Sequence, residues 1–142
     1  MLILDTDAMT ILFRSESPLY VKLLDRLERD PRQEVVTTIA SVHEQLQGWL
    51  SLLNRARLTP KDLINTYHRL QTALEEYGAM TILQFDHLAH AKHEEIRRRA
   101  RRVATLDLRI ASIALTRGAT ILTRNVRDFR QVPGLHVEDW SK

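Results

Sequence analysis

Cysteine is absent from the chain, which excludes disulfides, thiolate-bound zinc and thiol nucleophiles together and suits a reducing compartment. Glycine and proline are scarce, four of each in 142 residues, so no stretch is rich enough in either to serve as a linker. A single domain covering 1–142 is expected, long enough to bury a real core. No apolar run approaches the ~20 residues that cross a bilayer, and the first residues lack the basic segment and long apolar stretch of a signal peptide. A soluble, cytoplasmic protein without membrane association is therefore expected. Neither sign of charge dominates: 21 Lys and Arg against 18 Asp and Glu leave +3 with His neutral. The arginines are concentrated rather than spread, which hints at an anionic partner but cannot separate a nuclease from a nucleic-acid binder.

What is present is an alternation of short apolar runs with helical periodicity. Leu2-Ile3-Leu4 is three aliphatic residues ended by Asp5-Thr6-Asp7, the pattern of a strand covered on both faces. A short helix is predicted from Ala8 to Arg14. Pro18 opens a second, with Leu19, Leu23, Leu24 and Leu27 on one face, until Asp30-Pro31 stops it. Glu34 to Thr38 is a β-branched strand, and Ser41 to Asn54 a helix striped by Val42, Leu46, Trp49, Leu50 and Leu53. Thr59-Pro60 starts a helix that should reach about Tyr77 and stop at Gly78. Thr81 to Leu83 reads as a strand, Asp86 to Arg102 as a long polar helix, and Thr105 to Arg117 as a helix ended by Gly118. Ala119 to Thr123 is a fourth strand, and Leu135 to Val137 a fifth after the Pro133-Gly134 turn. Strands interleaved with helices predict an α/β fold, a four- or five-stranded, mainly parallel sheet flanked by helices on both faces.

In such a sheet, ligands gather outside the carboxyl ends of the strands, where Asp5, the segment after Thr38, and Arg124-Asn125 should meet. Asp5 either caps the following helix or faces a site. Asp107 is aligned with Ile110, Ala111 and Ala114, so it either looks into the core or caps the first turn together with Thr105. Glu44 fits a capping box with Ser41, which local pattern favours over a site role. Asn125 and Asp128 could be ligands or turn residues. Oxygen donors without cysteine or a histidine triad suit Mg²⁺ or Mn²⁺, and the chemistry such ions serve is phosphodiester hydrolysis. His87, His90 and His93 turn by about 60° per step, so the outer two diverge by about 120° and make a polar face rather than a compact metal site. Arg97 to Arg102 carries five arginines, able to grip phosphate or simply to form a solvated face through Glu94–Arg98 and Glu95–Arg99 pairs; between these readings, Arg101 and Arg102 alone flank the acids.

Leu4-Asp5-Thr6-Asp7, Val42 to Trp49, Asp107 to Ala111, Thr123 to Phe129 and Val132 to Leu135, in that order, resemble a PIN domain of the VapC toxin type over nearly the whole chain. The resemblance implies a Mg²⁺- or Mn²⁺-dependent endoribonuclease, the toxin of a toxin–antitoxin pair, with RNA as substrate, a cognate antitoxin as partner and a homodimer as assembly. It matches Asp5, Glu44 and Asp107 to the acidic metal ligands, with Asn125 beside them in the catalytic set and Asp128 as a further ligand; either of the last two completes the site. Thr6 and Thr123 match supporting hydroxyls, and Arg101, Arg102, Arg109 and Arg124 are assigned to RNA. Two departures stand out: Ala104 replaces a frequent Gly before Thr105, and Asn125 is neutral, which weakens any second metal. Two rival readings remain. Asp5-Thr6-Asp7 resembles the paired aspartates of haloacid-dehalogenase-like phosphatases, but Met9 stands where Thr or Val is wanted. The other is a catalytically inactive module that holds RNA or protein through its arginines.

Overall fold

The computed structural model describes residues 1–55 and 57–142. Its elements run β1 (Leu2–Leu4), α1 (Thr6–Leu12), α2 (Pro18–Glu28), β2 (Val35–Thr38), α3 (Ile39–Leu53), α4 (Pro60–Gly78), β3 (Ile82–Leu83), α5 (His87–Ile96), α6 (Thr105–Arg117), β4 (Thr120–Thr123), α7 (Val126–Phe129) and β5 (His136–Asp139). The strands form one sheet in the order β3-β2-β1-β4-β5, every pair parallel. β1 lies in the middle. Successive strand side chains point to opposite faces, and the Leu2-Ile3-Leu4 run uses this to serve both. Ile3 joins Ile121 in a core closed by α5, α6 and α7, whereas Leu2, Leu4 and Leu122 join a second core with α1, α2, α4 and Trp140. Ile3 and Leu4 are fully buried, each contributing about 1.5–3 kcal/mol. A polar residue at either position would unseat one helical layer.

The caps decide where the helices start. α1 begins two residues before the expected Ala8, because Asp5 is its N-cap and Oδ1 accepts from the Ala8 N–H at 2.8 Å. α3 begins at Ile39, since Thr38 Oγ1 accepts from the Ser41 N–H at 3.1 Å. The expected Ser41–Glu44 capping box therefore does not form: Ser41 lies within the first turn and Glu44 a turn further in. That correction frees the Glu44 carboxylate for another task.

α5 ends at Ile96 rather than at Arg102, and the arginine run lies in turns. Glu94 pairs with Arg97 at 2.8 Å and Glu95 with Lys92 at 3.0 Å, so the expected four-residue Glu–Arg spacing is not used. Continuing the helix would set Arg97 over Arg101 and Arg98 over Arg102, and like charges at that spacing are destabilising. Ala100 and Val103 dip into the core and hold the turns down. α7 was not expected: Asn125 to Asp128 reads locally as a turn, but fully buried Phe129 anchors a single helical turn there. β5 runs one to two residues later than expected, which brings Trp140 into the core.

Both α4 and α6 end at the expected glycine, but only one does so through a left-handed cap. α4 includes Gly78, whose successor Ala79 is right-handed, whereas Gly118 closes α6 at φ +60°. A Cβ at Gly118 would meet nothing within 4 Å, so the cost of a side chain there is purely conformational. Gly118→Ala is expected to lower stability by about 1–2 kcal/mol in urea unfolding, and an unchanged midpoint would contradict this.

Candidate active site

Strand order reverses at β1: β2 and β3 lie on one side, β4 and β5 on the other. Crevices form at such switch points, outside the carboxyl ends of the strands. Leu4 is in register with Leu122, so Asp5 leaves β1 beside Thr123, the last residue of β4. Asp5 is only 5% exposed. Burial pushes its carboxyl up to about 7, helped by the charges of Asp7 and Asp107 and opposed by the Thr123 hydroxyl and the Ala8 N–H. Capping and burial therefore coexist at Asp5: one oxygen serves the helix, while burial still holds the carboxyl raised.

Asp107 enters from the first turn of α6. No side chain caps that helix, so the capping reading of Asp107 does not apply. Burial pushes Asp107 up to about 6, with the charges of Glu44 and Asp128 adding to the rise. Glu44, half-buried on α3, is raised by burial, against the nearby Thr6 hydroxyl. Thr6 Oγ1 is itself buried and completes no hydrogen bond of normal geometry, so its effect on Glu44 is one of proximity. Asp107 is thus the meeting point, feeling Glu44 and Asp128 while it acts on Asp5.

Asn125 donates from its side-chain amide to Asp128 Oδ2 at 3.0 Å, which leaves its carbonyl oxygen as an acceptor, and its backbone N–H is held by Thr123 Oγ1 at 2.8 Å. One group was not singled out from the sequence. The phenol of Tyr77 on α4 is held well above its ordinary range by burial and by the charges of Glu44 and Asp5, and its OH lies 3.5 Å from the Ser41 carbonyl. No short motif flags it.

The arginines divide. Arg124 grips Asp7 through two bonds of 2.8 and 2.7 Å and lies over the Trp140 ring at 5.5 Å, which ties α1 to the end of the sheet. Arg101 and Arg102 are exposed in the turns before α6, and Arg109 is half-buried near His93. Arg124→Gln is expected to cost about 1 kcal/mol, the sum of a partly exposed ion pair and a cation–π contact. Urea denaturation measures it, and an unchanged midpoint would show that the clamp carries no stability.

Among the described residues, no basic side chain pairs with Asp5, Glu44, Asp107 or Asp128. Also among the described residues, no three or more His, Asp or Glu side chains stand close enough together to hold a metal ion as they are placed. The chemistry of the donor set nonetheless suits a hard divalent cation: it is all oxygen, burial and then neighbouring acids raise its carboxyls, and among the described residues a buried hydroxyl beside them lacks a partner. Mg²⁺ suits such a set because it keeps several waters and needs few carboxylates.

A family model described as "PIN domain" matches residues 2–135. Among curated proteins, the chain is similar to "tRNA(fMet)-specific endonuclease VapC" of Shigella flexneri, 47% identical over 47 residues, 33% of this chain and 36% of that protein. The match spans only about a third of that relative's length. Among solved structures, VapBC-1 from nontypeable Haemophilus influenzae superposes with a TM-score of 0.76 at 17% identity, covering 99% of this chain and 98% of that one. A member of the VapBC family of toxin-antitoxin systems, VapBC-5 from Mycobacterium tuberculosis, gives 0.55 at 28% identity over 73% of this chain and 79% of that one.

Proposed function

The chain belongs to the PIN-domain family, and from that premise we propose that it is a divalent-metal-dependent endoribonuclease, the toxin of a toxin–antitoxin pair. The observation that carries this reading is the gathering of Asp5, Glu44, Asp107 and Asp128 at the sheet's switch point without a compensating base. In this reading Asp5, Glu44 and Asp107 hold the cation, and Asp128 or the Asn125 carbonyl oxygen completes the set. Bound Mg²⁺ or Mn²⁺ supplies a more acidic water and positive charge against the phosphodiester. The chain supplies the rest. The Ala8 N–H fixes one Asp5 oxygen at 2.8 Å and so orients the other. Thr6 and Thr123 place hydroxyls beside the acids. Arg101, Arg102 and Arg109 contribute positive charge for an RNA backbone.

A protein partner is supported by the exposed apolar side chains on α3 and α4, including Leu50, Leu63, Ile64, Tyr67 and Leu74. Exposed apolar surface grouped in this way marks interaction sites, and we assign it to the antitoxin or to a second copy of the chain, in the cytoplasm. The test is to incubate the protein with total RNA and Mg²⁺ or Mn²⁺ and to sequence the ends produced. Discrete new ends that vanish on chelation are expected; intact RNA with every divalent ion would reject the proposal.

A further inference from the structure

A cavity of about 350 Å³ opens between the starts of α3 and α6 and the flank of α5. His43, Phe85, His90, His93, Glu94 and Arg109 line it. None of these side chains is used by the acidic cluster, yet the cavity adjoins it. His43 directly precedes Glu44 on α3, and Arg109 follows Asp107 by two residues on α6, so the same two helices line the cavity and carry acids of the cluster.

The chemistry of the lining is mixed in a particular way. Phe85 stands nearly perpendicular to His90, with centroids 6.2 Å apart at 87°, and to His93, at 6.1 Å and 79°. Three flat rings thus make a square-sided corner. His93 is only 9% exposed, its Nε2 is buried without a partner, and its Nδ1 lies 3.8 Å from Glu94 Oε1, too long for a hydrogen bond. Buried imidazoles that only fill a core are normally satisfied, so this lining is polar beyond what packing requires. Arg109 adds donors and Glu94 adds acceptors on the same wall.

Several ligand classes fail on these groups. A bare phosphate has no use for an aromatic corner, and an alkyl chain has none for Arg109 and Glu94. A metal ion is disfavoured by the Arg109 charge beside His93. A nucleobase uses every part: a flat face to stack, an edge with donors and acceptors, and a phosphate close by. The volume lies at the lower end of the ~300–1,000 Å³ found for small-ligand sites.

We propose that this cavity seats one unpaired base of the RNA next to the scissile phosphate, stacked on Phe85, read at its edge by Glu94 and His90, with Arg109 on the adjoining phosphate. The proposal rests on the ribonuclease reading and makes the cavity its determinant of sequence preference. The test has two arms. In the first, the binding of a short fluorescent single-stranded RNA is followed by anisotropy in an Asp5→Asn background, with Phe85→Ala, Phe85→Tyr and His90→Ala added separately. Loss of a stacked base should weaken binding about 5- to 150-fold in Phe85→Ala, with Phe85→Tyr restoring most of it. In the second, RNA ends are sequenced for chains carrying native Asp5. His90 is exposed, so His90→Ala should fold normally and relax the base preference at one position beside the cut. Unchanged RNA affinity together with unchanged cut sites in Phe85→Ala and His90→Ala would overturn the pocket while leaving the nuclease standing. If Phe85→Ala unfolds, His90→Ala alone decides. If the native protein cuts no RNA, the nuclease reading falls and takes with it the pocket's place beside a scissile phosphate, whatever Phe85→Ala does to binding.

Discussion

Asp5→Asn is expected to abolish divalent-dependent cleavage of RNA and, in the same preparation, to make the metal-free protein more stable at pH 8. The loss of activity should exceed about 100-fold, since even an outer partner of a metal ligand can cost that much. The gain in stability follows from what the substitution keeps and removes. The Asn side-chain oxygen still accepts from the Ala8 N–H, so α1 keeps its cap, but the desolvated charge is gone. A carboxyl moved from 3.8 to about 7 binds its proton more tightly in the folded chain than in the unfolded one. Its contribution is therefore full below about pH 4 and is lost as pH rises through about 7. That loss is on the order of 4 kcal/mol by the proton equivalence, so native protein should weaken from pH 5 to 8 more steeply than Asp5→Asn, in which only the smaller fall from Asp107, raised to about 6, and from Glu44 remains. Asp5→Ala separates the roles further: it too should be inactive, and it should fall about 1 kcal/mol below Asp5→Asn for want of the cap. Cleavage at the native rate by either variant would remove Asp5 from the site, and parallel pH curves for native protein and Asp5→Asn would deny that its charge is uncompensated.

Mg²⁺ or Mn²⁺ is expected to raise the melting temperature, and to do so more at pH 8 than at pH 6. With Asp107 at about 6 and Asp5 at about 7, protons occupy the donors in acid and compete with the ion, whereas above both values the ion meets free carboxylates. At a hundred times the dissociation constant the stabilisation is about 2.7 kcal/mol, which for a chain near this length moves the midpoint by roughly 5–10 °C. Asp107→Asn should erase most of the shift, because Asp107 borders the other three acids. Removing the ion with a chelator should return the midpoint to its starting value. An equal shift at both pH values, or one that persists in Asp107→Asn, would place the ion elsewhere on the molecule.

The two experiments bear on different statements. Asp5→Asn asks whether one buried acid serves catalysis at the expense of stability, a trade common where charge is gathered before its partner arrives. The melting series asks whether acids more than sixty residues apart in the chain act as one group.

Much of the architecture could be read locally. Leu2-Ile3-Leu4 announced a strand buried on both faces, Pro60 and Thr59 opened α4, and Thr105 to Gly118 bounded α6 at the residues observed. Those signals act over a few residues, through propensity, capping and the period of the apolar pattern, so the chain states them wherever it folds. The candidate site was legible only as a list of acids, each with an innocent alternative. For Glu44 the alternative fails because Thr38, three residues before Ser41, is the residue that caps α3, and for Asp107 because, among the described residues, no side chain caps α6. Tyr77, the Asp7–Arg124–Trp140 clamp, and the cavity between Phe85 and Arg109 carry no signal within a window of sequence, since each joins segments tens of residues apart.

The sequence by itself determined the alternation of strand and helix, the parallel sheet that such alternation requires, and the inventory of oxygen donors. The tertiary structure alone decided which donors meet. Their meeting depends on the register that sets Leu4 beside Leu122 and on the reversal of strand order at β1, and both arise from crossover helices choosing faces of a common sheet, an energy shared across two cores and held by no local stretch.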